Sequence, residues 1–473
     1  MFKKISFLIY CCLAFLSFGQ SSDYTLGAKI SPDKLKADFS ILLSSLRENH
    51  PGLYNFSSKA QFDSLATKSL VSLTDSLTER EFHVLVRKFI RVIACGHTVA
   101  RPSQDWYKAV SASKNLIPIH VILQDDQLYI RKVFGEQGDE LVGARVVSID
   151  GVSVNEILLV IKSIIMRDGV GEAMVNRNIE RLFQTYYMFS FGMKERYTVE
   201  VEGVDGVIVQ ASLKGGKASK YPARKVDESA VEMENQGAEF RILGKSKKIA
   251  VLDLSSFDSK GYKKFYRKMF SRLSEFDSID LVLDLRGNGG GYFPNGNQLL
   301  RYLLNENFTM DFSKPQKHTK NNKYLKLNFP SMMTRFVFST IPDRNKEDPA
   351  RNYQIRYKPI KKDHFYGKVY VLTDGLTFSA GGSVASKLKN SRSAVVVGEE
   401  TGGGEVGFNA VLSWRLELPN SGMIVTIPIY HVDVQPEMND IGRGVTPDIP
   451  VQYNLEQRMG QIDLEMARIL KSL

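Results

Sequence analysis

Leu281-Val282-Leu283-Asp284-Leu285-Arg286-Gly287-Asn288-Gly289-Gly290-Gly291 is the stretch on which the fold turns. Its apolar run without alternation reads as a strand buried on both faces, as in a parallel sheet. The glycines that follow let adjacent backbone N–H groups face a common point, an anion or oxyanion nest; a merely structural tight turn is the other reading. A dinucleotide loop is excluded, because Tyr292 and Pro294 stand where G-x-G-x-x-G needs its last glycine, and G-K-[ST] is absent.

Around this stretch, strands and helices alternate from Lys247 onward. Strands are expected at Ile249–Leu254, Leu281–Leu285, Val369–Leu372 and Ala394–Val397, with helices at Tyr262–Phe276, Asn295–Leu304 and Ala380–Leu388. The alternation predicts an α/β domain with several parallel strands. A second motif, Thr373-Asp374-Gly375-Leu376-Thr377-Phe378-Ser379-Ala380-Gly381-Gly382, joins a strand to a helix. Ser379 therefore falls at a helix's first turn, where its hydroxyl is either a nucleophile beside free N–H groups or a plain N-cap.

The first half is built differently. Lys34–Asn49 places Leu35, Phe39, Leu42, Leu43 and Leu46 on one helical face, and Pro51-Gly52 stops it. Thr78 with Glu81 forms a capping box for a second helix carrying Phe82, Leu85, Phe89 and Val92. Gly96 is the expected stop, leaving His97 on a loop just past the helix end. From 115 to 215 short strands are expected at Ile117–Leu123, Gln127–Val133, Arg145–Ile149 and Tyr197–Glu202, with a helix at Val154–Ile165. The strand and turn Gly143–Gly151 resemble a PDZ domain; a generic β-rich insert is the alternative.

The chain has 473 residues, 43% hydrophobic and 24% charged, which is enough for about three domains and excludes a disordered chain, a fibre or a multi-span membrane protein. Met1–Gly19, MFKKISFLIYCCLAFLSFG, reads as a secretory signal, with a retained anchor as the alternative. Cleavage would leave Cys95 as the one cysteine and no internal disulfide. The net charge is +11, and residues 313–368 carry 14 Lys/Arg against 4 Asp/Glu, nearly all of that excess. This basic insertion is expected to be a solvated segment near the site mouth; a preference for acidic peptide or an anionic cell-envelope surface is the sharper reading. Nucleic acid is not an expected partner of an exported protein.

Taken in order, D-L-R-G-N-G-G-G, T-F-S-A-G, Gly398-Glu399-Glu400-Thr401-Gly402-Gly403 and Gly444-Val445-Thr446-Pro447-Asp448-Ile449 resemble the S41 peptidases, the family of the C-terminal processing proteases and the tricorn core. The resemblance covers about residues 245–450. It implies an α/β crotonase-like (ClpP/crotonase) core and a serine peptidase acting on peptide or unfolded protein, with no cofactor. It divides the chain into a signal peptide (1–19), an N-terminal helical segment (20–110), a PDZ-like domain (111–230) and an S41-type core (231–473).

The resemblance also implies site residues. Ser379 is the nucleophile. The lysine base of the processing-protease branch is missing, since Gly404 takes its place. The tricorn-like branch uses a histidine in a G-H context, matched by Gly96-His97, and imidazole suits a base near neutrality. Glu437, or else Asp440, would orient His97. The N–H groups of Gly289, Gly290 and Ala380 would bind the oxyanion. One departure is Gly382, where many members carry glutamate; it leaves open a non-catalytic protein binding peptide or a lipid-like ligand, and an esterase on the same core is a third reading. His50 reads as a packing residue at a helix end, and Cys95 as a buried thiol. No H-E-x-x-H or close Cys/His pairing occurs, so no metal is expected.

Overall fold

The computed structural model describes residues 24–134, 138–221, 231–244, 249–313, 322–328, 353–435, 437–438, 442–460 and 462–472. The signal-like segment 1–19, most of the basic insertion and Asp440 lie outside the described residues.

Three helices open the described chain: α1 (Pro32–Asn49), α2 (Lys59–Val71) and α3 (Glu79–Ile90). The apolar stripe of α1 is wholly buried, with Leu35, Phe39, Leu42 and Leu46 showing no exposed surface. The capping box of α3 is formed: Thr78 Oγ1 accepts from the Glu81 N–H, and Glu81 Oε2 accepts from the Thr78 N–H at 2.9 Å. A short 3-10 turn, Arg91–Ile93, follows, so Val92 lies beyond the α-helix. Ala94 (φ +50°), rather than Gly96, takes the left-handed position that ends it.

Strand β1 (Val99–Arg101) comes next, then a six-stranded antiparallel sheet ordered β2 (Ile119–Gln124), β3 (Gln127–Val133), β4 (Arg145–Ile149), β5 (Arg196–Glu202) and β6 (Ile208–Lys214), with Val152–Ser153 added against β4. Helix α4 (Val154–Ile164) is where the sequence puts it. The 19-residue helix α5 (Ala173–Phe191) is not foreseen; its Val175, Ile179, Phe183 and Tyr187 repeat at helical spacing and are buried against the sheet.

The core sheet has seven strands in the order β7 (Val231–Asn235), β8 (Ala238–Leu243), β9 (Ile249–Leu254), β10 (Asp280–Asp284), β14 (Val369–Thr373), β15 (Val395–Gly398) and β18 (Ile449–Pro450). From β9 to β18 the pairing is parallel; β7 and β8 extend it antiparallel. Strand β10 is covered on both sides, which its unbroken apolar run required. Leu281 and Leu283 join the core under α6 (Tyr262–Leu273), α7 (Phe293–Leu303) and α8 (Ala380–Arg392), while Val282 joins a second cluster with Ile469 of the C-terminal helix α9 (Leu464–Ser472). Buried Arg286 fastens α9 to this strand through Asp284 (2.7 Å), Asp463 (2.8 Å) and Glu465 (2.8 Å).

A third sheet, unforeseen in the sequence, orders β12 (Leu325–Asn328), β16 (Gly407–Glu417), β17 (Ile424–Asp433), β11 (Phe308–Ser313) and β13 (Tyr353–Tyr357). Two described pieces of the basic insertion, β12 and β13, are thus strands on its edges. The amino-terminal β1 also joins this sheet, pairing antiparallel with β17 at Val99↔Thr426, Ala100↔Val425 and Arg101↔Ile424. No described helix is long and apolar enough to cross a membrane.

Candidate active site

The C-terminal ends of β10 and β14 present their loops side by side. The Phe378 N–H donates to Asn288 O (2.9 Å), Thr377 Oγ1 donates to Leu285 O (2.8 Å), and Asp374 Oδ1 accepts from the Gly287 N–H (2.8 Å). These bonds lock the glycine-rich turn against the segment that carries Ser379. A Cβ on Gly290 (φ +99°) would stand 2.6 Å from the Ser379 Cβ, so only glycine fits there.

Ser379 sits at the start of α8 with φ +55° and ψ −122°, and its side chain caps no helical N–H. A non-glycine residue in that region costs about 1–3 kcal/mol, a strain found where a side chain must be aimed. The N-cap reading therefore gives way to a half-buried hydroxyl at a helix start, free of any capping bond. The Ala380 N–H opens the helix and has no intrahelical acceptor. Of the glycines proposed for the oxyanion, Gly290 already donates its N–H to Asn288 Oδ1 at 2.8 Å, which leaves Gly289 and Ala380 of the three expected donors.

His97 arrives from the other end of the chain. Its turn follows Ala94 and is closed by the Thr98 N–H donating to Cys95 O (3.1 Å); β1 then ties it to the third sheet. The ring Nε2 lies 3.2 Å from Ser379 Oγ. Its faces stack on Phe378 (centroids 4.6 Å apart) and Phe408 (5.7 Å), an apolar slot that pushes its pKa down to about 4. The ring is thus neutral near pH 7, as a general base must be. Gly96 is needed for a reason the sequence did not suggest: a Cβ there would meet Phe378 Cζ at 2.7 Å.

Glu437 is exposed in a turn, and His97 Nδ1 is buried with no hydrogen-bond partner among the described residues. Gly382 is buried, and a Cβ there would meet nothing closer than 3.8 Å. His50 is a packing residue in this structure: Nε2 contacts Thr98 Oγ1 at 2.8 Å, Nδ1 accepts from the Gly52 N–H at 3.1 Å, and burial pushes its pKa down to about 3. Asp168, which no sequence motif singles out, approaches Cys95 and His97, with one donor atom from each of the three within 4.8 Å of the others. Burial pushes the Cys95 thiol up to about 12, the reverse of what a thiolate metal ligand or nucleophile needs. A basic groove lined by Lys263, Lys264, Arg267 and Arg301 lies on α6 and α7, and no residue of the Ser379–His97 site lines it.

Residues 248–451 match the model of peptidase family S41. A C-terminal processing peptidase, chloroplastic, from Tetradesmus obliquus is 28% identical over 208 residues, which is 44% of this chain and 35% of that protein. The match thus spans about a third of that relative's length. Among solved structures, mature CPAF is similar with a TM-score of 0.63 at 14% identity, covering 93% of this chain and 96% of that one. Mature CPAF complexed with lactacystin gives 0.64 at 15% identity, covering 93% and 97%. At these identities the two structures speak to the fold.

Proposed function

We propose that this chain, whose residues 248–451 match peptidase family S41, is an exported serine endopeptidase hydrolysing peptide bonds through an acyl-enzyme. The observation that carries this reading is the 3.2 Å approach of His97 Nε2 to Ser379 Oγ across 282 residues of sequence. Export rests on the basic and apolar character of residues 1–19.

In this mechanism Ser379 Oγ attacks the scissile carbonyl as its proton passes to His97 Nε2. The carbonyl electron pair moves onto oxygen, where the N–H groups of Ala380 and Gly289 receive it at the positive end of α8. Collapse expels the amine, which takes the proton from His97. Water, deprotonated by the same ring, then releases the acid and restores Ser379. Sequence favours Glu437 as the orienting acid; an exposed Glu437 would have to move onto Nδ1 to serve.

Hydrolysis of unfolded casein by wild type, Ser379→Ala and His97→Ala tests the reading. Peptide release by wild type and at least a 10³-fold loss in each variant is expected. A folded wild type that releases no peptide, or cleavage surviving in Ser379→Ala, would overturn it. Short ester and peptide substrates run in parallel separate an esterase from a peptidase.

A further inference from the structure

We propose that Asp168 is the acid that positions His97, holding Nδ1–H so that Nε2 faces Ser379. The inference rests on reading Ser379 and His97 as nucleophile and base.

Two buried atoms carry it. His97 Nδ1 and Asp168 Oδ2 are each shielded from solvent and each lacks a hydrogen-bond partner among the described residues. An orphaned donor and an orphaned acceptor in one cluster are costly unless they serve one another. A ring nitrogen of His97 and a carboxylate oxygen of Asp168 lie within 4.8 Å. Nε2 already faces Ser379, so Nδ1 is the nitrogen left to be held. A side-chain rotation or one bridging water spans such a gap, and catalytic hydrogen bonds are commonly loose before substrate binds.

The carboxylate is also anchored. Its Oδ1 accepts from the Gly96 N–H at 2.5 Å, so the group that would hold the ring grips the preceding residue. Gly169 N–H donates to Ala94 O (2.9 Å) and Val170 N–H to Gly442 O (2.8 Å), clamping the Asp168 loop on both sides. Gly169 (φ +65°) admits no side chain, since a Cβ would stand 2.1 Å from Gly442 O.

Electrostatics agree with this geometry. The Phe378–Phe408 slot resists a charged ring, yet the ring must carry charge while it holds the serine proton. A carboxylate at Nδ1 supplies the counter-charge and stays ionised while the proton travels from Oγ to Nε2 and on to the leaving amine. Burial pushes the Asp168 carboxyl up to about 7, and a positive charge on the adjoining ring favours its ionised form. The other groups facing this cluster among the described residues are the Cys95 thiol, neutral His50 just past the end of α1, and the His431–Asp433 pair of β17 (3.3 Å).

The test is the rate of fluorophosphonate labelling of Ser379 between pH 4 and 9 in full-length wild type and Asp168→Asn. Asparagine keeps an oxygen for Gly96 but offers N–H to Nδ1, favouring the tautomer with Nε2–H, which cannot take the serine proton. Labelling slower by about 10²–10⁴-fold is expected, with the acidic limb displaced to lower pH by more than one unit. A variant labelled at the wild-type rate, or slowed with its limb unmoved, overturns the proposal and leaves the peptidase reading standing. A folded wild type that takes no label overturns both. If Asp168→Asn does not fold, imidazole ¹⁵N resonances of His97 in wild type decide: a proton on Nδ1 supports the proposal, and a proton on Nε2 overturns it.

Discussion

Ala100 pairs with Val425 in antiparallel register, and this short bridge between β1 and β17 delivers the amino-terminal helices to the core. His97 stands three residues before Ala100, so the register of that bridge sets how far its ring reaches toward Ser379. Ala100 has no exposed surface, which makes the bridge part of the packed interior.

His50 is expected to make stability fall in acid. It is held neutral in the fold down to about pH 3, whereas in the unfolded chain it takes a proton near 6.5. Its contribution is full above pH 6.5 and is lost as pH drops toward 3, reaching on the order of 2 kcal/mol at pH 5. Denaturant titrations from pH 7 to 5 would show a shallower loss in His50→Asn than in wild type. Equal slopes would contradict this account.

Gly290→Ala should stop the chemistry without unfolding the core. The added Cβ would press on the Ser379 Cβ at 2.6 Å and sits at φ +99°. Fluorophosphonate labelling at least about 10²-fold slower is expected, since a displacement of about 1 Å at a reacting atom costs that much. A native far-UV spectrum should accompany it. Labelling at the wild-type rate would contradict the tight fit.

Gly96→Ala acts on the base instead. Its Cβ would meet Phe378 Cζ at 2.7 Å and Asp168 Oδ1 at 3.2 Å, displacing the turn that carries His97. A drop of about 10²-fold in labelling is expected here too. Neither change belongs to a residue that touches the substrate carbonyl, so both losses would report positioning.

Gly382→Ala should do the opposite to stability. Its Cβ has only ordinary contacts with Gly403, at 3.8 Å and beyond, and glycine inside a helix costs about 0.5–1 kcal/mol relative to alanine. A higher thermal midpoint with unchanged labelling is expected; a lower midpoint would show that the space is not free.

The parallel core was legible because its signals are local. The apolar run of β10, the glycine turn after it and the strand-to-helix junction at Ser379 each declare themselves within a dozen residues. The third sheet was not legible, since its strands are scattered from Val99 to Asp433 and pair only through the tertiary fold. The Ser379–His97 pairing could be read through the family resemblance alone, because no spacing rule links residues 282 apart. Asp168 went unseen for the same reason: 72 residues separate it from Gly96, and a lone acid between two helices has no pattern of its own. Gly96 was noticed as a helix stop, but its work is to let Phe378 approach, a steric demand that no sequence window contains.

The most direct measurement is the site of covalent labelling. Wild type treated with a fluorophosphonate and mapped by peptide mass spectrometry should carry one adduct, on Ser379, formed about 10³-fold more slowly in His97→Ala. A folded protein that stays unlabelled, an adduct on another residue, or a rate indifferent to His97 would contradict the nucleophile and base assigned here.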